Sequence, residues 1–142
     1  MNKRTLFLVA VMVFALVASF ALLQAGDKSM KAQTVEGVLI DTKCYSMGGF
    51  TTNDHKDMKG NKLPNCATAC ASMGIPVGVL TKDKKVYVIG LPAQGFAQLM
   101  AKEVRLVGMH GKFGADNIFL PEKLYVKENG KWVEKPLPKG MM

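Results

Sequence analysis

Residues 6–23 are apolar apart from Ser19 and follow Lys3 and Arg4 near the N-terminus, the charged-then-apolar order of a secretory leader. This feature constrains the fold most, because it takes residues 1–25 out of the folding problem and places the rest in an oxidising compartment. What remains of the 142 residues shows no internal repeat and has room for one core. A cut before Gly26 puts a small residue, Ala25, at only one of the two usual positions, and the apolar run approaches bilayer-spanning length. Residues 1–25 are therefore read as a signal peptide or an N-terminal anchor. The expected location is periplasmic or extracellular, either free or held to the membrane by residues 6–23. The first cysteine, Cys44, lies too far downstream to serve as a lipoprotein anchor.

The chain carries 19 basic and 11 acidic residues, a net charge of +8 that falls to +6 once Lys3 and Arg4 leave with the leader. The lysines are scattered from Lys28 to Lys139 and are densest at Lys82, Lys84 and Lys85, as expected of a solvated surface. Nucleic acid is excluded as a partner of an exported protein. Another envelope protein is the expected partner, and contact with the membrane is limited to a retained leader.

Residues 26–33 read as a polar spacer, 34–135 as the folded domain with an insertion at 42–76, and 136–142 as a flexible tail. The β-branched and aliphatic stretch 34–41 predicts a first strand, with Gly37 marking a bulge or strong coiling. Residues 44–64 read as irregular. A helix is expected over 66–73, capped by Asn65 and stopped by Gly74 with Pro76 beyond. Strands at 77–81 and 85–90 form a hairpin, and Pro92 opens a second helix over 93–101 with Phe96, Leu99 and Met100 on one face. Two half-buried strands follow at 103–109 and 118–126, the latter with Ile118, Leu120, Leu124 and Val126 inward. Asn129-Gly130 predicts a tight turn into a last short strand.

This makes the chain mainly β with two short helices. The order strand, strand, strand, helix, strand, strand is that of an OB-fold, a five- to six-stranded barrel whose helix plugs one end, here with a cysteine-bearing insertion after the first strand. A small β-sandwich is the alternative.

The motifs D-x-K-C-Y at 41–45, N-C-A-x-x-C at 65–70, G-I-P at 74–76 and V-R-L-V-G at 104–108 resemble those of a family of small exported bacterial proteins. The resemblance spans roughly the mature domain. It implies an OB-like barrel with a cysteine-containing insertion and brings no activity with it. Where such relatives carry a histidine three residues before the middle cysteine, this chain has Leu63, so the resemblance does not carry over to His55.

The cysteines have a reading of their own. Cys66 and Cys70 are four apart on a predicted helix and share one face, with Met73 on the same stripe. Cys66 falls in the first helical turn, where unpaired backbone donors favour a thiolate. Three readings stay open. A metal ion held by Cys44, Cys66, Cys70 and His55 is a three-sulfur, one-nitrogen set suited to zinc, and exchanging His55 for Met73 gives an all-sulfur set that favours Cu(I). An odd number of cysteines in an oxidising compartment favours such sharing. Alternatively, Cys44 forms a disulfide with Cys66 or Cys70, stapling the insertion of a module that binds a protein, peptide or saccharide on the open barrel face. Tyr87, Phe119 and Tyr125 are the candidate aromatics on that face. The third reading is thiol redox chemistry with Cys66 as the attacking thiolate.

His110 is expected to be a turn or edge histidine. No paired carboxylates, serine–histidine pair or phosphate-cradling loop is present, so no catalytic residue is named.

Overall fold

A computed structural model describes residues 32–138. The expected leader 1–25, most of the spacer and residues 139–142 lie outside the described residues.

The domain is built on strand β1 (Gln33–Asp41). Its first half pairs antiparallel with β6 (Glu103–Phe113) and its second half with β4 (Val77–Leu80), and Val38 faces both Glu103 and Leu80. The strand changes partners at Gly37, where a Cβ would lie 2.1 Å from the Leu80 carbonyl oxygen, so only glycine lets β1 coil through this crossing. β4 pairs with β5 (Val86–Ile89), and β6 pairs with β7 (Asp116–Glu128). A parallel pairing of β5 with β7, from Tyr87–Asn117 to Ile89–Phe119, closes the ring. The sheet order β5-β4-β1-β6-β7, joined end to end, is OB-fold connectivity. β8 (Lys131–Lys135) adds a sixth strand after a turn at Asn129 (φ 49°) and Gly130 (φ 78°), both in the left-handed region that such a two-residue turn requires.

Inside the ring sit Val35, Leu39, Val77, Val79, Val104, Leu106, Phe119, Leu124 and Val126, all buried. The end is plugged by residues Ala93–Leu99, with Phe96 fully buried between Ala93 and Ala97. This plug is a 3₁₀ helix and stops earlier than the α-helix expected over 93–101. Gly95 weakens α-helical propensity in its middle, and the Ala101 N–H and the Lys102 carbonyl are already committed to Leu39 of β1, at 2.8 and 3.0 Å. Leu137 packs on the core and Pro138 sits against Gly95, so the start of the expected tail belongs to the domain.

One expectation about the core is corrected. Leu120 is 44% exposed, whereas Phe119 is fully buried, the reverse of the predicted alternation. The pairing of β6 with β7 shifts between Val107, opposite Lys123, and Gly108, opposite Pro121, which leaves Glu122 as an extra residue. That bulge inverts the parity of β7: Leu124 and Val126 point inward after it, and Phe119 points inward before it.

The insertion contains more regular structure than expected. Helix α1 (Thr42–Gly48) follows β1 directly, a two-stranded ribbon joins β2 (His55–Lys56) to β3 (Lys62–Leu63), and α2 (Cys66–Ser72) follows. Among the described residues no helix is long and apolar enough to cross a membrane.

Candidate metal centre

Asp41 ends β1 and begins the site. Its Oδ1 accepts hydrogen bonds from the Lys43 and Cys44 backbone N–H groups at 2.9 and 3.4 Å, the N-cap that starts α1 and sets the direction of Cys44. α1 ends after barely two turns at Gly49, a left-handed residue whose N–H donates to the Tyr45 carbonyl. The ladder that pairs Asp41 with Val77 fixes both ends of the insertion side by side. Next to it, the Thr42 hydroxyl and N–H donate to the Pro76 carbonyl at 2.7 and 3.2 Å. The start of α1 is thereby placed against the segment that leaves α2, which brings Cys44 to Cys70.

The N-terminus of α2 is capped from outside. Asn65 has a left-handed backbone (φ 53°) and makes no side-chain cap, in contrast to the sequence expectation. Asn53 does the work instead: its side-chain oxygen accepts from the Thr68 N–H and hydroxyl at 3.0 Å each, and its carbonyl accepts from the Ala67 N–H. Asp54 adds a hydrogen bond from the Asn65 N–H and an ion pair with Lys62, both of which hold its carboxyl below the usual range. Thr68 also donates to the Ala97 carbonyl, tying α2 to the plug. Asn53→Ala is expected to destabilise the domain by about 1–2 kcal/mol, the range of a lost N-cap, as measured by equilibrium denaturation.

The Sγ atoms of Cys44, Cys66 and Cys70 all lie within 4.8 Å of one another, and all three cysteines are free. Three cysteines that lie this close together can bind a metal ion. Cys70 is buried, while Cys44 and Cys66 are partly so. A second triad, Asp41, Cys44 and His55, meets the same 4.8 Å limit and shares Cys44 with the first. His55 is therefore gathered to the site through Cys44. Met73 is not: α2 ends at Ser72, and Met73, its C-terminal cap, is 72% exposed, so the sulfur stripe stops at Cys70.

No protein family, curated protein or solved structure matches the chain. The site has to be judged on its own chemistry.

Among the described residues, Asp41 and His55 are the only buried polar or charged side chains, at 2% and 3% exposure. They also carry the two buried side-chain atoms without a hydrogen-bond partner, Asp41 Oδ2 and His55 Nδ1. The His55 ring stacks on Phe50, with centroids 4.7 Å apart, and its Nε2 lies 2.8 Å from the Thr52 carbonyl. A carbonyl only accepts, so Nε2 carries the proton and Nδ1 keeps its lone pair, the orientation that an outer hydrogen bond imposes on a metal-binding histidine. Leaving a buried polar atom unpaired costs about 1–3 kcal/mol, more where it is charged, and both residues here belong to the triad that shares Cys44 with the cysteine cluster.

Burial, followed by contact with Asp41 and its negative charge, pushes the Cys44 thiol up to about 12 and the Cys70 thiol to about 11. Both are thiols at neutral pH. A cation reverses that balance, because a coordinated thiol is deprotonated by the ion itself.

The open-face aromatics fare differently. Phe119 is core, and Tyr87 packs edge-on against it and against His110, with centroids 6.4 and 5.3 Å apart. His110 lies within β6 rather than after it, 3.2 Å from the Asn117 side-chain oxygen. Neither Phe119 nor Tyr87 offers a free stacking platform. Sequence reasoning missed Asp41, although its place before Thr-Lys-Cys, three residues from a cysteine, is an N-cap signal in plain view.

Proposed function

We propose that the chain is an exported metal-binding protein of the cell envelope, acting by holding an ion rather than by catalysis. Cys44, Cys66 and Cys70 supply the sulfur and His55 Nδ1 the nitrogen, and the candidates are zinc and Cu(I). The observation that carries this reading is the convergence of the three Sγ atoms within 4.8 Å, from two helices at opposite ends of the insertion. The resemblance to small exported bacterial proteins with the same cysteine motifs, and the apolar leader, support the location outside the cytoplasm.

The barrel is the scaffold and the insertion is the site. A rigid ladder at Asp41–Val77 holds the two helices, and the β2–β3 ribbon holds His55 over them. Titration of the reduced protein with zinc, and with Cu(I) under anaerobic conditions, in competition with a chromophoric chelator, tests the proposal. One ion per chain is expected, with binding abolished in Cys70→Ser and in Cys44→Ser. Equal binding by the wild type and by both variants would remove the cysteine cluster from the account.

A further inference from the structure

We infer that Asp41 is a ligand of the same ion through Oδ2, and that the centre therefore takes a divalent cation of the zinc class in preference to Cu(I). This rests on the metal reading above and names what it binds.

Asp41 divides its carboxylate between two tasks. Oδ1 is committed to the backbone N–H groups of Lys43 and Cys44, while Oδ2 is buried and has no hydrogen-bond partner. None of the ion pairs among the described residues involves Asp41. A carboxylate 2% exposed, outside every ion pair and with only the weak donors of the Cys44 and Cys70 thiols against it, is an arrangement that a bound cation would relieve. With Oδ1 tied to the start of α1, the carboxylate lies beside Cys44 and His55, one of its oxygens within the 4.8 Å limit that the three share. Its contact and charge also act on Cys70 of the other triad, so Asp41 and Cys44 link the two triads.

The donor set decides the metal. Thiolates and imidazole suit both zinc and copper, but a carboxylate oxygen is a hard donor that zinc accepts at about 2.0–2.2 Å and that Cu(I) disfavours. Among the described residues the only buried polar or charged side chains are one carboxylate and one imidazole, and both form a triad with Cys44. The sulfur-only alternative loses its fourth ligand with Met73 in solvent.

Zinc-edge X-ray absorption of the loaded wild type is the first test, since it needs no variant. A shell of sulfur plus two lighter scatterers is expected, falling by one in Asp41→Asn. That variant keeps an Oδ1 acceptor for the cap and sheds the uncompensated charge, and Asp41→Ser keeps a capping hydroxyl, so metal-free Asp41→Asn should unfold no more easily than wild type and metal-free Asp41→Ser should remain folded. Their zinc affinity should fall by at least about 10–100-fold, the loss seen even for residues that only hydrogen-bond to a ligand, while Cu(I) affinity holds or rises. Unchanged zinc affinity and an unchanged shell in both variants would reduce Asp41 to a helix cap, overturning the inference while the three-cysteine site stands. Tighter binding of Cu(I) than of zinc by the wild type would overturn it equally. Binding of neither ion by the wild type would overturn the metal reading and this inference together.

Discussion

Replacing Phe119 by alanine is expected to destabilise the domain by about 3–5 kcal/mol, whereas Leu120→Ala should change stability by no more than about 0.5 kcal/mol. Phe119 is fully buried at the closure of the ring, where its residue pairs with Ile89, and Leu120 is 44% exposed. Deleting the ring therefore leaves a cavity among Leu39, Phe96, Leu106 and the other core residues that cannot collapse without opening the barrel. Equilibrium unfolding in urea measures both effects. The contrast is sharper than either value alone, because a sheet without the bulge at Glu122 would reverse the two results. A larger loss for Leu120→Ala than for Phe119→Ala would show that β7 runs in the other register.

The second large effect belongs to the metal. An ion that binds the folded state and not the unfolded one stabilises it by about 4 kcal/mol when free ion exceeds the dissociation constant a thousandfold. Removing it with a strong chelator should lower the melting temperature of the reduced wild-type protein and leave the Cys44→Ser, Cys66→Ser, Cys70→Ser triple variant unmoved. The size of the effect follows from architecture. The insertion has few apolar residues to bury: α1 buries none of its side chains, and α2 contributes Ala67, Cys70 and Ala71. Its order rests on polar contacts such as those of Asn53, Asp54 and Asp57, which are individually modest. A cross-link through the ion would join α1, α2 and the His55 ribbon at one point. Coincident melting curves with and without chelator would show that no such cross-link exists.

The strands and their order were legible because they are local signals. Alternation in 103–109, the Asn129-Gly130 turn, the hairpin around Lys82 to Lys84 and the glycine at position 37 each report their structure within a few residues. Closure of the ring was not legible in that order, which fits a small β-sandwich as well; it rests on the parallel pairing of β5 with β7. The inward face of β7 was not legible, because Glu122 bulges only in relation to Gly108 on the neighbouring strand, a pairing that no window of sequence contains. The Asn53 cap is hidden for the same reason, lying 15 residues before the Thr68 N–H that it satisfies. At the site, the pairing of Cys66 with Cys70 could be read from helical spacing, and the approach of Cys44 could be anticipated only as a need. What realises it is the Asp41–Val77 ladder and the two bonds to Pro76. Asp41 was overlooked because a lone acid at a strand end is ordinarily a surface residue; its burial comes from the helices and ribbon folded over it.

Metal content decides between an ion and a disulfide: the full chain, isolated without added metal or reductant, is assayed by mass spectrometry alongside free thiols under denaturing conditions. Close to one ion per chain is expected, with three titratable thiols once the ion is removed and loss of the ion in Cys70→Ser. A metal-free protein with one free thiol, and Cys44 joined to Cys66 or Cys70, would contradict the metal reading and leave a disulfide-stapled barrel in its place.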